Sequence, residues 1–183
     1  WLRIADYLAR GDGSELADLA DVFSRYATDA DQPRILAYYQ AARAAGSRVA
    51  IHRLLNLYSR RTSPQYDPAL SAALFVDLVG ASAPEDLPAA LNRLRKATPE
   101  IRAIAYRSID EAALFLTAAK SGNPVAMREY ALILRSHAAS PAEVLDSTDW
   151  LRKAAQLGQP EGQMMLGTLY FFTLFGLLLK IVS

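Results

Sequence analysis

Two histidines, a few carboxylate pairs and one short glycine cluster are the places where this sequence could do chemistry. His52 and His137 are the only histidines, and neither has a second ligand at metal-binding spacing. Each reads as a surface or packing residue. Glu85-Asp86 and Asp110-Glu111 could share acid–base work, but both pairs sit beside helix starts, where negative charge complements the helix dipole. Gly11-Asp12-Gly13 lacks the third glycine of a phosphate loop and any strand before it, so it reads as a turn. The chain has no cysteine, which excludes disulfides, thiolate zinc sites, iron–sulfur clusters and cysteine nucleophiles. No metal, cofactor or catalytic residue is expected, and the chain does not read as an enzyme.

Two residue groups could bind rather than catalyse. Arg60-Arg61, with Arg53 and Arg48 upstream, makes a basic edge near a helix end. Cations suit a helix C-terminus, and contact with a ligand or partner is the other use for them. Tyr38, Tyr39, Tyr58, Tyr66, Tyr106 and Tyr130 fall at helical positions. They read chiefly as inter-helix packing with hydroxyls at the rim. One or two of them could line a groove for a peptide or a sugar.

The elements that must position these residues are helices. Of 183 residues 52% are apolar and 21% charged, with a net charge of +1. That is too apolar for disorder and too balanced for a nucleic-acid binder with a basic surface. Ala and Leu make up about a third of the chain, a composition of helix formers. The length suits one globular domain or a short repeat array. The chain starts inside an amphipathic pattern and shows no signal-peptide pattern, so it reads as an excised segment, a mature fragment or a chain with further ends.

Proline and glycine punctuate the helices. Pro33, Pro68, Pro84, Pro99, Pro124, Pro141 and Pro160 precede apolar helical runs, where the missing N–H has no intrahelical acceptor anyway. Asp67, Thr98, Asn123 and Ser140 are natural N-caps, and Ser140 with Glu143 has capping-box spacing. Gly46, Gly80, Gly122 and Gly158 follow Ala- or Leu-rich runs and are expected to supply left-handed C-caps. The predicted helices are 1–10, 14–27, 32–45, 48–60, 68–80, 84–96, 99–120, 124–137, 141–157 and 160–179, with Pro88 kinking or delaying the 84–96 helix. No alternating run predicts a strand.

Three segments align on their glycines. Ala41-Ala42-Arg43-Ala44-Ala45-Gly46, Ala118-Ala119-Lys120-Ser121-Gly122 and Ala154-Ala155-Gln156-Leu157-Gly158 each lead into a second helical run. Four residues after each glycine the side chain is small (Ala50, Ala126, Gly162). Eight after, it is large (Leu54, Tyr130, Leu166), and eleven after, it is aliphatic (Leu57, Ile133, Leu169). Gly122 and Gly158 lie 36 residues apart by their numbers, and Gly46 to Gly122 is about two such periods. One helix pair cannot bury its apolar face alone, so stacked pairs would form the core.

Trp150-Leu151-Arg152-Lys153-Ala154-Ala155-Gln156-Leu157-Gly158, running on to Leu166-Gly167-Thr168-Leu169-Tyr170, resembles a Sel-one-like repeat, a tetratricopeptide-related unit. Phe115 to Tyr130 and Ala41 to Tyr58 resemble it less closely. Leu55 and Ala131 replace the glycine that follows the leucine in that family, and 60–110 holds no clean unit. The resemblance implies an all-α solenoid, a superhelix of antiparallel helix pairs, over a single domain at 1–170 with four to five units, some degenerate. It implies a non-enzymatic scaffold or adaptor whose partners are other proteins and not nucleic acid. It also implies a bacterial envelope setting, such as exopolysaccharide or alginate export, at a periplasmic or outer-membrane place, with a cytoplasmic one still open. By helical phase, Arg48, His52, Asn56, Arg128, Leu132 and Gln163 would line the concave groove. A module that binds a small ligand or carbohydrate directly, through tyrosines and arginines of that groove, is the alternative.

The end of the chain is separate. No residue from Gly162 to Leu179 is charged. Eighteen helical residues reach about 27 Å, just short of a hydrocarbon core of about 30 Å. Residues 171–183 read as an apolar tail with Phe171, Phe172, Phe175 and Leu178 as association residues. Such a tail could be a capping helix that meets a missing domain or a second copy, a non-native end, or a segment near a membrane.

Overall fold

A computed structural model of the chain describes residues 12–26, 28 and 31–182, with side chains through Phe172. Among these residues the protein is all-α, with ten helices and no strand. They are α1 (Gly13–Tyr26), α2 (Gln32–Ala44), α3 (Arg48–Tyr58), α4 (Pro68–Gly80), α5 (Leu87–Arg95), α6 (Pro99–Ala105), α7 (Glu111–Lys120), α8 (Pro124–His137), α9 (Pro141–Gln156) and α10 (Pro160–Val182). The predicted helix at 1–10 lies outside the described residues.

Caps set most of the boundaries. Asp67 accepts from the N–H groups of Ala69 and Leu70, both at 2.9 Å. Asn123 accepts from Val125 and Ala126. Ser140 and Glu143 form the full capping box, each side chain accepting from the other's backbone N–H. Thr98 stands at the N-cap of α6 but makes no cap hydrogen bond, and its hydroxyl meets Tyr66 Oη at 3.1 Å instead. Pro88 occupies the second position of α5, so that helix starts at Leu87 rather than near 84. The expected 99–120 helix is two helices. Tyr106 closes α6, and Asp110 caps α7 by accepting from Ala113 N–H, so the chain turns between them while Ile109 stays buried.

Glycine ends three helices as expected. Gly46, Gly122 and Gly158 have φ of 86°, 98° and 80°. At each, the glycine N–H bonds the carbonyl three residues back, and the next N–H (Ser47, Asn123, Gln159) bonds the carbonyl of Ala42, Ala118 or Ala154. This is the Schellman pairing, which satisfies carbonyls left open at a helix end. The residue after the glycine then caps the following helix: Ser47 Oγ takes Ala50 N–H, Asn123 takes Ala126 N–H, and Gln159 Oε1 takes Gly162 N–H. Gly80 differs. It is the last residue of α4, has no positive φ, and leaves the cap to Ala81.

The α2–α3, α7–α8 and α9–α10 pairs therefore share one junction. Ala42, Ala118 and Ala154 on the first helices are fully buried, as are Ala50 and Ala126 on the second. In the third pair Gly162 takes that place, where a Cβ would lie 3.3 Å from Ala154 Cβ. Small residues at both positions let the two helix backbones approach. A second feature recurs between the first and last pairs. Gln40 reaches Tyr58 Oη at 3.4 Å, and Arg152 reaches Tyr170 Oη at 3.5 Å. Both donors lie six residues before the junction glycine and both tyrosines twelve after it.

The described chain forms two compact units, one of residues up to Ala81 with Arg93–Ile109, the other of Ser82–Asn92 with residues from Asp110 onward. In the first, α2 packs on α1 and α3, α3 on α4, and α4 on α6. Its core holds Leu16, Ile35, Leu54, Leu55, Phe75 and Ile101, none more than 3% exposed. Full burial of one such side chain stabilises by about 1.5–3 kcal/mol. Gly13 lets α1 approach α2 closely, since a Cβ there would stand 2.8 Å from Ala42 O. In the second unit α8 packs between α7 and α9, and α9 on α10, around Phe115, Ala118, Ala131, Leu151 and Ala154.

Candidate functional site

Helix α3 presents Arg48, His52 and Asn56 in one row, because side chains four apart share a helix face. Arg48 and Asn56 are exposed and His52 is half-buried. Arg93, from the last turn of α5, joins this row. Its Nη1 bonds His52 Nδ1, and its Nη2 donates to Asn56 Oδ1 at 2.9 Å. An arginine can only donate, so His52 accepts at Nδ1 and carries its proton on Nε2. Burial first, then the charges of Arg93 and Arg48, hold the His52 pKa below its ordinary value. Burial also pushes the Arg93 guanidinium below its usual range.

A second polar cluster lies on α1, α2 and α3. Asp21 takes Tyr39 Oη–H at 2.5 Å and both Nε and Nη2 of Arg53, at 2.9 and 2.6 Å. Burial raises the Asp21 pKa, but the bonds from Arg53 and Tyr39 outweigh it and the net shift is downward. Burial and the Asp21 carboxylate push the Tyr39 hydroxyl up to about 12. Asp21, Ser24, Arg25, Tyr39 and Arg53 line an open, polar cleft.

The other groove candidates lie in the second unit. Arg128 and Leu132 are half-buried on α8, with Arg128 Nη2 2.5 Å from Glu129 and its Nε buried without a partner. Gln163 is exposed and donates to Ala155 O at 3.1 Å, so it ties α10 to the end of α9. Phe171 and Phe172 are 63% and 65% exposed. The side chains of Phe175 and Leu178 lie outside the described residues. Among the described residues no helix is long and apolar enough to cross a membrane.

The other residues weighed for chemistry are placed as follows. His137 is exposed, with Nδ1 2.9 Å from Ile133 O. Asp12 caps α1 through Ser14 N–H at 2.9 Å. Among the tyrosines, Tyr39 and Tyr58 are buried, Tyr38 stacks on Phe23 with ring centroids 5.8 Å apart, and Tyr130 meets Trp150 edge-on. Among the described residues no group of three or more His, Asp or Glu side chains could hold a metal ion.

Sequence reasoning missed Arg93 and Asp21. Arg93 is 41 residues from His52, and Asp21 is 32 from Arg53. Their helical phase puts them on polar faces, but nothing local says which face meets which. No protein-family model, curated protein or solved structure matches the chain.

Proposed function

We propose that the chain is a non-enzymatic scaffold, a stack of antiparallel helix pairs of the Sel-one-like kind that holds other proteins together. One observation carries the reading. Three helix pairs share the same junction down to its backbone hydrogen bonds, its cap and its buried small residues. Identical joints repeated along a chain generate a regular stack, and a stack exposes an extended surface suited to proteins. The Gln40–Tyr58 and Arg152–Tyr170 bonds, in equal register, support the same reading. The polar row on α3, with Arg93, is a surface of the kind such a scaffold uses.

The setting follows from the resemblance alone: a bacterial envelope complex, such as one that assembles or exports an exopolysaccharide. The scaffold is tested by immobilising the chain and applying separated envelope and soluble extracts of its own host. Specific capture from the envelope fraction, competed away by free chain, is the expected result. No competed partner in either fraction refutes the scaffold, and a partner found only in the soluble fraction refutes the envelope setting.

A further inference from the structure

We propose that Arg93, held by His52 and Asn56, is the docking point for a carboxylate side chain of an acidic partner segment. The proposal rests on the scaffold reading and names the chemistry of the partner.

Arg43, Arg53, Arg61, Arg128 and Arg152 each have a carboxylate partner, namely Asp77, Asp21, Glu100, Glu129 and Asp149. Arg61 and Arg152 are well exposed, where an ion pair contributes little. Arg93 is half-buried, where a missing counter-charge costs more. Yet among the described residues no carboxylate pairs with it, and its two partners are a neutral imidazole and a neutral amide. The positive charge is thus partly desolvated and held in place, but not neutralised.

The geometry favours a carboxylate. Two of the five guanidinium donors are used by His52 and Asn56, which fix the plane of the fork and leave donors for a further acceptor. Asn56 turns Oδ1 to Arg93, so its exposed Nδ2 group adds a donor beside the fork. A planar donor array beside one charge fits the two oxygens of an Asp or Glu side chain. It suits a phosphate dianion less well, since one cation and neutral neighbours leave much of that charge unmet.

The test uses the isotope-labelled full chain at low ionic strength, with hexaglutamate, hexaglutamine and inorganic phosphate as probes. The readout is the NMR signal of the Arg93 Nε–H group. Hexaglutamate is expected to shift it saturably and hexaglutamine to leave it still. Arg93→Gln should weaken hexaglutamate binding about tenfold or more. Arg93→Lys, which keeps the charge and loses the fork, should also weaken it. Arg107→Gln, an exposed arginine elsewhere, should change it by less than about twofold. The wild-type shift needs no variant, so a misfolded Arg93→Gln does not spare the proposal. It is overturned if the signal does not move, if both peptides bind alike, if Arg93→Gln binds as the wild type does, or if phosphate binds there as tightly as hexaglutamate. Equal binding of both peptides removes the carboxylate dock and leaves the scaffold standing. Hexaglutamate binding at Arg93 with no competed partner in the capture experiment removes the scaffold instead.

Discussion

The junction glycines allow the sharpest test of the fold, because one substitution should have opposite signs at two places in the same unit. At Gly46, φ is +86°, and an added Cβ would meet nothing within 4 Å. The cost of Gly46→Ala is therefore conformational and not steric. An L-residue in the left-handed region loses about 1–2 kcal/mol, and +86° lies beyond the window such residues tolerate best. Removing a glycine also stiffens the unfolded chain, which returns about 0.4–1 kcal/mol. The net expectation is a loss of about 1 kcal/mol. At Gly80 the backbone is helical, φ is not positive, and a Cβ again meets nothing within 4 Å. There alanine should stabilise by about 0.5–1 kcal/mol.

The two variants should thus differ by roughly 1.5–2 kcal/mol, or about 3–8 °C in Tm for a chain of this size. Urea and thermal unfolding by circular dichroism read the difference directly. Gly122→Ala and Gly158→Ala have φ of 98° and 80° and open space, so their losses should match that of Gly46→Ala. Stabilisation by Gly46→Ala, or equal effects at Gly46 and Gly80, would refute the backbone argument. Widely different losses at the three junctions would refute their equivalence.

Asp21→Asn should lower stability by on the order of 1 kcal/mol at neutral pH, since it weakens the bonds from Arg53 and Tyr39 at a part-exposed site. The Asp21 pKa is depressed when folded, so its contribution is present above about pH 4 and disappears as pH falls through the folded value. Urea curves of the two proteins should converge below pH 4, and a constant gap across pH would count against the assignment. Tyr39 is shifted the other way, so its contribution is complete below pH 10 and lost as pH rises towards about 12. Tyr39→Phe should accordingly lose stability less steeply than the wild type over that range, and parallel curves would exclude it. Ser140→Ala removes one half of the capping box and should cost about 0.5–2 kcal/mol in urea unfolding, and an unchanged midpoint would show that Glu143 alone holds the start of α9. If the exposed Phe171 and Phe172 drive association, light scattering coupled to size exclusion should give a mass above monomer that falls to monomer in the double Phe→Ser variant, whereas a monomeric wild type refutes it.

Most of the helical skeleton was legible because its signals are local. Proline fixes φ at a helix start, a carboxylate, amide or hydroxyl caps the next N–H groups, and glycine takes a left-handed end. Each is read from a few adjacent residues. The misplaced helix ends are also local in cause. At Tyr106–Asp110 no glycine or proline interrupts the chain, so the break rests on Asp110, whose capping competes with helix continuation. Gly80 looked like the other glycines, but the residue after it, Ala81, has no side chain that could cap a following helix. The Arg48–His52–Asn56 row was legible by phase, whereas Arg93 and Asp21 were not, because pairing across distant helices leaves no trace in local spacing.

The sequence distances of those pairings form a pattern themselves. Arg53–Asp21 and Tyr66–Thr98 span 32 residues, and Arg43–Asp77 spans 34. Arg93–Asn56 spans 37, Asn123 to Glu85 O 38, Arg61–Glu100 39 and Arg93–His52 41. A second set, Tyr39–Asp21, Gln40–Tyr58 and Arg152–Tyr170, spans 18 each. The longer distances cluster about the 36 residues between Gly122 and Gly158, and the shorter ones are half of that. A fold closed around a single core brings many different separations together. A stack in which each helix touches its partner and the neighbouring pair yields contacts near half a period and near one period. Within 60–110, Arg61, Tyr66, Arg93, Thr98 and Glu100 take part in bonds of similar reach, as the proposed stack would require there too. Among the described residues Arg93, in that segment, is half-buried and has no carboxylate partner.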